Sequence, residues 1–114
     1  MAARPLSPTA IEVREQLLAR IRDHTAHVGV VGLGYVGLPF AVEKAKVGFR
    51  VTGIEQSPLR AAAGNRGQNY IPDVNDEELA QIVRDGHLRA ATTFDVVPEL
   101  DVIVICVPTT LTKN

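Results

Sequence analysis

With 114 residues, 46% of them apolar and 22% charged, the chain has room for one domain with a real core and not for two. Its net charge of −1 removes any electrostatic reason to expect nucleic acid or an anionic membrane as partner, and its single cysteine excludes an internal disulfide framework. The N-terminus lacks the pattern of a signal peptide and no apolar run approaches the ~20 residues that span a bilayer, so bulk properties predict a cytoplasmic globular domain.

Ser7 followed by Pro8 reads as an N-cap and a first-turn proline, opening a helix that runs to about Asp23. Ile11, Leu17, Leu18 and Ile21 share one side of it, interrupted by Arg14. The expectation is a helix packed on the outside of the domain, with a partner-binding helix as the alternative. Residues 1–26 are accordingly read as a helical extension and 27–114 as the domain. Val28 to Val31 is a short β-branched run ending in glycine, the pattern of a buried parallel strand. A helix from near Tyr35 to about Val47 follows, with Leu38, Ala41, Val42 and Ala45 inward and Gly48 suited to its stop.

Arg50 to Glu55 is a second strand, and Ser57-Pro58 repeats the cap-plus-proline signal for a helix to about Asn65. Gly64 to Pro72 is rich in turn formers and is expected to run over the surface. Asn75 caps a further helix, with Glu77 and Glu78 where the macrodipole favours negative charge, Leu79, Ile82 and Val83 apolar, and Gly86 beyond its end. Leu88 to Thr92 is a third strand. Asp101 to Val107 is the strongest strand signal in the chain and is expected to be buried on both faces. Alternating strands and helices predict βαβ units, hence an α/β Rossmann-type, doubly wound parallel sheet, here truncated after about four strands and carrying an extra N-terminal helix.

Gly32-x-Gly34-x-x-Gly37 would be weak alone, but here it follows a predicted strand and opens a helix. In that setting Gly32 permits the tight turn, Gly34 lets backbone approach a pyrophosphate, and Gly37 allows close helix–strand packing. The free N–H groups and positive end of the helix attract the diphosphate; the competing reading is a turn that merely needs flexibility. Glu55 closes the second strand near the expected ~20-residue interval, where a carboxylate accepts from ribose hydroxyls and repels a 2′-phosphate. Arg60 lies close enough to weaken that preference, and a solvated strand-end charge is the other reading of Glu55. Val107-Pro108-Thr109 stands at the carboxyl end of the fourth strand, either touching the cofactor or forming a plain loop.

The segments Val28-Gly-Val-Val-Gly-Leu-Gly-Tyr-Val-Gly-Leu-Pro39, Asn69-Tyr-Ile-Pro-Asp-Val74 and Val104-Ile-Cys-Val-Pro-Thr109 resemble those of the nucleotide-sugar 6-dehydrogenases. So does the ending Leu111-Thr-Lys-Asn114. Tyr-Ile-Pro-Asp-Val is more similar to the UDP-N-acetylhexosamine branch than to the UDP-glucose branch. The resemblance implies oxidation of the C6 hydroxyl of a UDP-sugar to a carboxylate, with two NAD molecules used in succession by a full-length parent that forms homo-oligomers. It implies cofactor contacts from Gly32, Leu33, Gly34, Tyr35, Val36 and Gly37, from Glu55 and Arg60 at the adenosine end, and from Val107, Pro108 and Thr109 across the sheet. Glu55 stands where the family usually has aspartate, and Thr110 where proline is usual.

The family's nucleophilic cysteine, its catalytic lysine and its substrate-binding residues match nothing in this sequence, so no catalytic residue is assigned. Cys106 is read as a small buried hydrophobe inside the fourth strand. His24, His27 and His87 have no metal-ligand spacing and are given solvated or capping roles. Tyr70 and Pro72 belong either to a cofactor or substrate loop or to a structural turn. A stand-alone NAD-binding module, or the cofactor domain of a UDP-glucose or β-hydroxyacid dehydrogenase, are the alternatives.

Overall fold

The computed structural model describes Pro5 and Ser7–Pro108. In chain order the elements are α1 (Pro8–Arg22), β1 (His27–Val31), α2 (Gly37–Lys46), β2 (Arg50–Ile54), α3 (Pro58–Asn65), α4 (Asp76–Arg84), β3 (Leu88–Ala91), a 3-10 helix (Phe94–Glu99) and β4 (Val102–Ile105). The four strands form one parallel sheet in the order β3-β2-β1-β4. This is the βαβαβ arrangement of a Rossmann-like fold, with the chain crossing from β3 back past β1 to place β4.

Capping chemistry accounts for the helix starts. Ser7, Ser57 and Asn75 each accept a backbone N–H with the side-chain oxygen, from Ala10, from Arg60, and from both Glu77 and Glu78. Register then sorts the strand residues between two faces. Val28 and Val30 pair with Val51 and Gly53 on one side and with Val102 and Val104 on the other. On this face lie Leu38, Ala41, Val42 and Ala45 of α2 and Leu79 and Ile82 of α4, which complete the core. Leu33 reaches over Gly53, where a Cβ would collide with its side chain, so that glycine makes room for a core leucine. Gly64 of α3 packs beside Ala90 on the same face.

The opposite face is covered differently. His27 and Thr52 are buried there and pair through Nε2 and Oγ1 at 2.7 Å. Leu100 lies over Gly29, and Val96 of the 3-10 helix is buried. Ile103 and Ile105 of β4 point to this face and remain 45% and 71% exposed. The expectation of a fourth strand buried on both sides is therefore corrected: β4 is an edge strand, and among the described residues no helix lies over its outer face.

Two further expectations are overturned. α1 forms as predicted, but none of its residues is buried, and Ile11, Leu18 and Ile21 are exposed. Of its apolar side only Leu17 is half-buried among the described residues, and an Arg20–Asp101 ion pair at 2.7 Å ties the end of the helix to the domain. His27 is not solvated: it is the first residue of β1, its N–H donates to Asp101, and its ring is enclosed. Burial, and secondarily the Arg50 charge, hold its pKa below the usual histidine value. His24 does act at a helix end, with a positive φ of 63° and Nδ1 2.7 Å from the Val47 carbonyl oxygen.

Candidate functional site

The carboxyl ends of the strands open onto a cleft of about 1180 Å³. Its floor is the turn from β1 into α2. Gly32 turns the chain there at a φ of +93°, a left-handed conformation that only glycine adopts at low cost, while its N–H still bonds to the Ile54 carbonyl. At Gly37 a Cβ would fall inside the Gly32 carbonyl, so helix and strand touch backbone to backbone. Gly34 is different: a Cβ there would meet nothing nearer than Arg60 Nη1 at 3.8 Å. The fold does not need glycine at that position, and its bare backbone leaves room for a molecule to lie against the loop.

The N–H groups of Gly34, Tyr35 and Val36 bond to no acceptor among the described residues. They precede α2, whose first turn is joined to the loop by the bond from Leu38 N to Gly34 O. Three donors with no acceptor among the described residues, at the positive end of a ten-residue helix, are an arrangement that attracts an anion. Beside it lies Glu55, just past the end of β2 and only 6% exposed. Its Oε1 accepts from Leu33 N at 3.2 Å and its Oε2 from Ser57 N at 2.8 Å. A carboxylate offers about four acceptor positions, so both oxygens keep capacity for hydroxyl donors from the cleft.

Glu55 is therefore held in place by the two turns it joins. The reading of a solvated strand-end charge does not fit its burial. Arg60 borders the same end of the cleft, with its guanidinium 5.6 Å from the centre of the Tyr70 ring. Tyr70, in turn, donates its hydroxyl to the Leu33 carbonyl at 2.7 Å. Burial, with the Glu55 charge second, pushes the Tyr70 phenol up to about 12, so it remains a donor at every physiological pH.

The structure brings Gly32, Gly34, Tyr35, Val36, Glu55, Arg60, Val107 and Pro108 to this cleft. It does not bring Leu33 or Gly37 there. The Leu33 side chain is core, its N–H is taken by Glu55, and Gly37 lies beneath the turn. Thr109 lies outside the described residues. Thr92, just after β3, and Phe94, the first residue of the 3-10 helix, also line the cleft. The sequence carries no spacing signal for them, because they arrive from a segment whose 3-10 helix has no periodic pattern.

Cys106 lines it too, immediately after β4 rather than inside it, and only partly buried. Among the described residues no group of histidine, cysteine and acidic side chains has the arrangement of a metal site, and no helix is long and apolar enough to cross a membrane.

Comparison with known proteins agrees with this geometry. The chain is 35% identical over 83 residues to a UDP-N-acetyl-D-mannosamine dehydrogenase of Campylobacter jejuni, which covers 72% of this chain and 20% of that protein. An uncharacterized protein of Methanocaldococcus jannaschii is 34% identical over 88 residues, 77% of this chain and 10% of that protein. Among solved structures, a UDP-N-acetyl-mannosamine dehydrogenase of Staphylococcus aureus superposes with a TM-score of 0.70 at 31% identity, covering 78% of this chain and 21% of the other.

The chain thus spans about a fifth of the length of the two dehydrogenases and a tenth of the archaeal protein. Residues 26–114 match the NAD binding domain of the UDP-glucose/GDP-mannose dehydrogenase family, and the chain belongs to that family.

Proposed function

We propose that this chain is the cofactor-holding part of an NAD-dependent UDP-N-acetylhexosamine 6-dehydrogenase, a cytoplasmic enzyme that oxidises the sugar C6 hydroxyl to a carboxylate. The observation that carries this reading is the row of N–H groups at Gly34, Tyr35 and Val36, which find no acceptor among the described residues and belong to the lining of a cleft with a buried carboxylate beside it. A dinucleotide satisfies both: its pyrophosphate takes the N–H groups, and its adenosine ribose donates to Glu55. Arg60 closes over the adenosine end, and Val107 and Pro108 border the far wall. The mannosamine-type relatives in two bacteria support the sugar class.

The role given to these residues is binding and orientation. When bound, NAD supplies hydride acceptance; the nucleophile and the UDP-sugar contacts belong to the remaining length of the relatives. In a polypeptide of that length the reading includes a homo-oligomer. Cys106 is the chain's one thiol, and its partly buried place against Gly37 suits packing rather than attack on an aldehyde.

Calorimetric titration of the chain with NAD, with NADP, and with a Gly34→Val variant tests the proposal. Saturable NAD binding, weaker NADP binding, and loss of binding in a variant that still unfolds cooperatively are expected. Absence of NAD binding at millimolar concentration refutes it. Binding without turnover of UDP-N-acetylhexosamine is the expected behaviour of this chain by itself.

A further inference from the structure

Leu33 is fixed at three points. Its side chain is 1% exposed over Gly53, its N–H is taken by Glu55, and its carbonyl accepts the Tyr70 hydroxyl at 2.7 Å. The carbonyl of Leu33 and the N–H of Gly34 belong to one peptide unit, and no peptide bond among the described residues is cis. In a planar trans unit the two groups point in opposite directions. Anchoring the carbonyl behind the turn therefore aims the Gly34 N–H forward, toward the cleft that Gly34 lines and Tyr70 does not.

We infer that Tyr70 is a positioning residue for the dinucleotide loop: its hydroxyl, by holding the Leu33 carbonyl, sets the direction of the Gly34 N–H that meets the pyrophosphate. The inference rests on the cofactor reading above and adds to it a residue remote from the glycine loop in sequence. Without this bond, the Leu33–Gly34 peptide is free to rotate by compensating changes of ψ at Leu33 and φ at Gly34, a motion glycine makes cheap. A rotated peptide would present a carbonyl oxygen to the diphosphate instead of a donor. The Tyr70 ring has a second, separable task, since Arg60 rests over its face.

Tyr70→Phe removes the hydroxyl and keeps the ring; Tyr70→Leu removes both. Affinity for adenosine diphosphate ribose, which carries the pyrophosphate, and for adenosine, which does not, is compared across the three proteins by NMR shift titration. Tyr70→Phe is expected to weaken the diphosphate ligand about 5-fold, the value of one hydrogen bond, and to leave adenosine unchanged. Tyr70→Leu is expected to weaken both. Equal weakening of both ligands by Tyr70→Phe, or no weakening of either, overturns the inference while leaving the cofactor reading intact.

Failure of the unaltered chain to bind either ligand overturns the cofactor reading. A measurement without ligand still decides the loop geometry. The residual dipolar coupling of the Gly34 N–H is expected to change in Tyr70→Phe, and an unchanged coupling refutes the positioning role.

Discussion

Two glycines of one motif stand under different demands: the packing of the fold requires Gly37 and does not require Gly34. Gly37 packs its backbone against the Gly32 carbonyl, so Gly37→Ala forces helix and strand apart. Overpacking of this kind costs on the order of 3 kcal/mol, and here the obstacle is backbone that cannot rotate away. Thermal unfolding of Gly37→Ala is expected to fall well below that of the unaltered chain, with NAD affinity lost only because the fold is lost. Gly34→Ala reverses the pattern. Its Cβ enters open space 3.8 Å from Arg60 Nη1, so the melting temperature is expected to stay nearly unchanged while NAD affinity drops about 10-fold, a change of ~1.4 kcal/mol. Equal destabilisation by both substitutions would contradict this division of roles.

His27 makes a prediction about pH at the same scale. Its folded pKa lies below the unfolded value, so the unfolded chain binds more protons as pH falls from about 6.5. Stability is thus fully present above that range and is lost as pH falls through the folded pKa. The buried pairing with Thr52 is the geometry at stake, with Arg50, Asp101 and Glu99 as the charged residues acting on the ring. The melting temperature of the unaltered chain is expected to decline between pH 7 and 5 more steeply than that of His27→Gln. Parallel profiles would remove His27 from the acid response.

At the scale of elements, the fold was readable wherever a pattern repeats and a cap announces it. Ser57-Pro58 and Asn75 mark α3 and α4, and β-branched runs mark β1 and β2. What escaped were properties that depend on neighbours. The stripe in α1 shows what a helix can bury, not whether anything is there to receive it. The run around β4 reads as a buried strand, yet burial of an edge depends on elements beyond it. That the glycine loop and Glu55 meet at one cleft was readable because their spacing is set by one βαβ unit. Tyr70 was left between two readings because its partner, Leu33, lies far back in the sequence.

The packing of α1 leads to an element-scale prediction: deleting residues 1–18 retains Arg20 with its bond to Asp101 and, among the described residues, removes no buried side chain. Such a deletion is expected to cost under about 0.5 kcal/mol, a few degrees at most in thermal melting. Leu38→Ala in the core is expected to cost roughly 2–5 kcal/mol. A large loss on removing α1 would mean that the helix packs in solution.

For the molecule as a whole, the two edges of the sheet are treated differently. At β3 the Asn65 side chain accepts from Ala90 N at 2.8 Å and donates to Ala90 O at 2.9 Å, so part of that edge is occupied by an amide that mimics a neighbouring strand. At β4 no such device exists among the described residues, and Ile103 and Ile105 stand exposed on the face beside the free edge. An open edge with an apolar flank is a template for pairing between chains. The chain is therefore expected to self-associate as its concentration rises, departing from its 12.3 kDa monomer mass in sedimentation equilibrium. Ile103 does not line the cleft, so Ile103→Lys places a charge on the sticky face without touching the candidate site. This variant is expected to require at least about 10-fold more protein to associate, through like-charge repulsion and the burial cost of an unpaired ammonium, while binding NAD as before. A cooperative monomer for the unaltered chain at every concentration would show that the β4 face is quiet in solution despite its exposure.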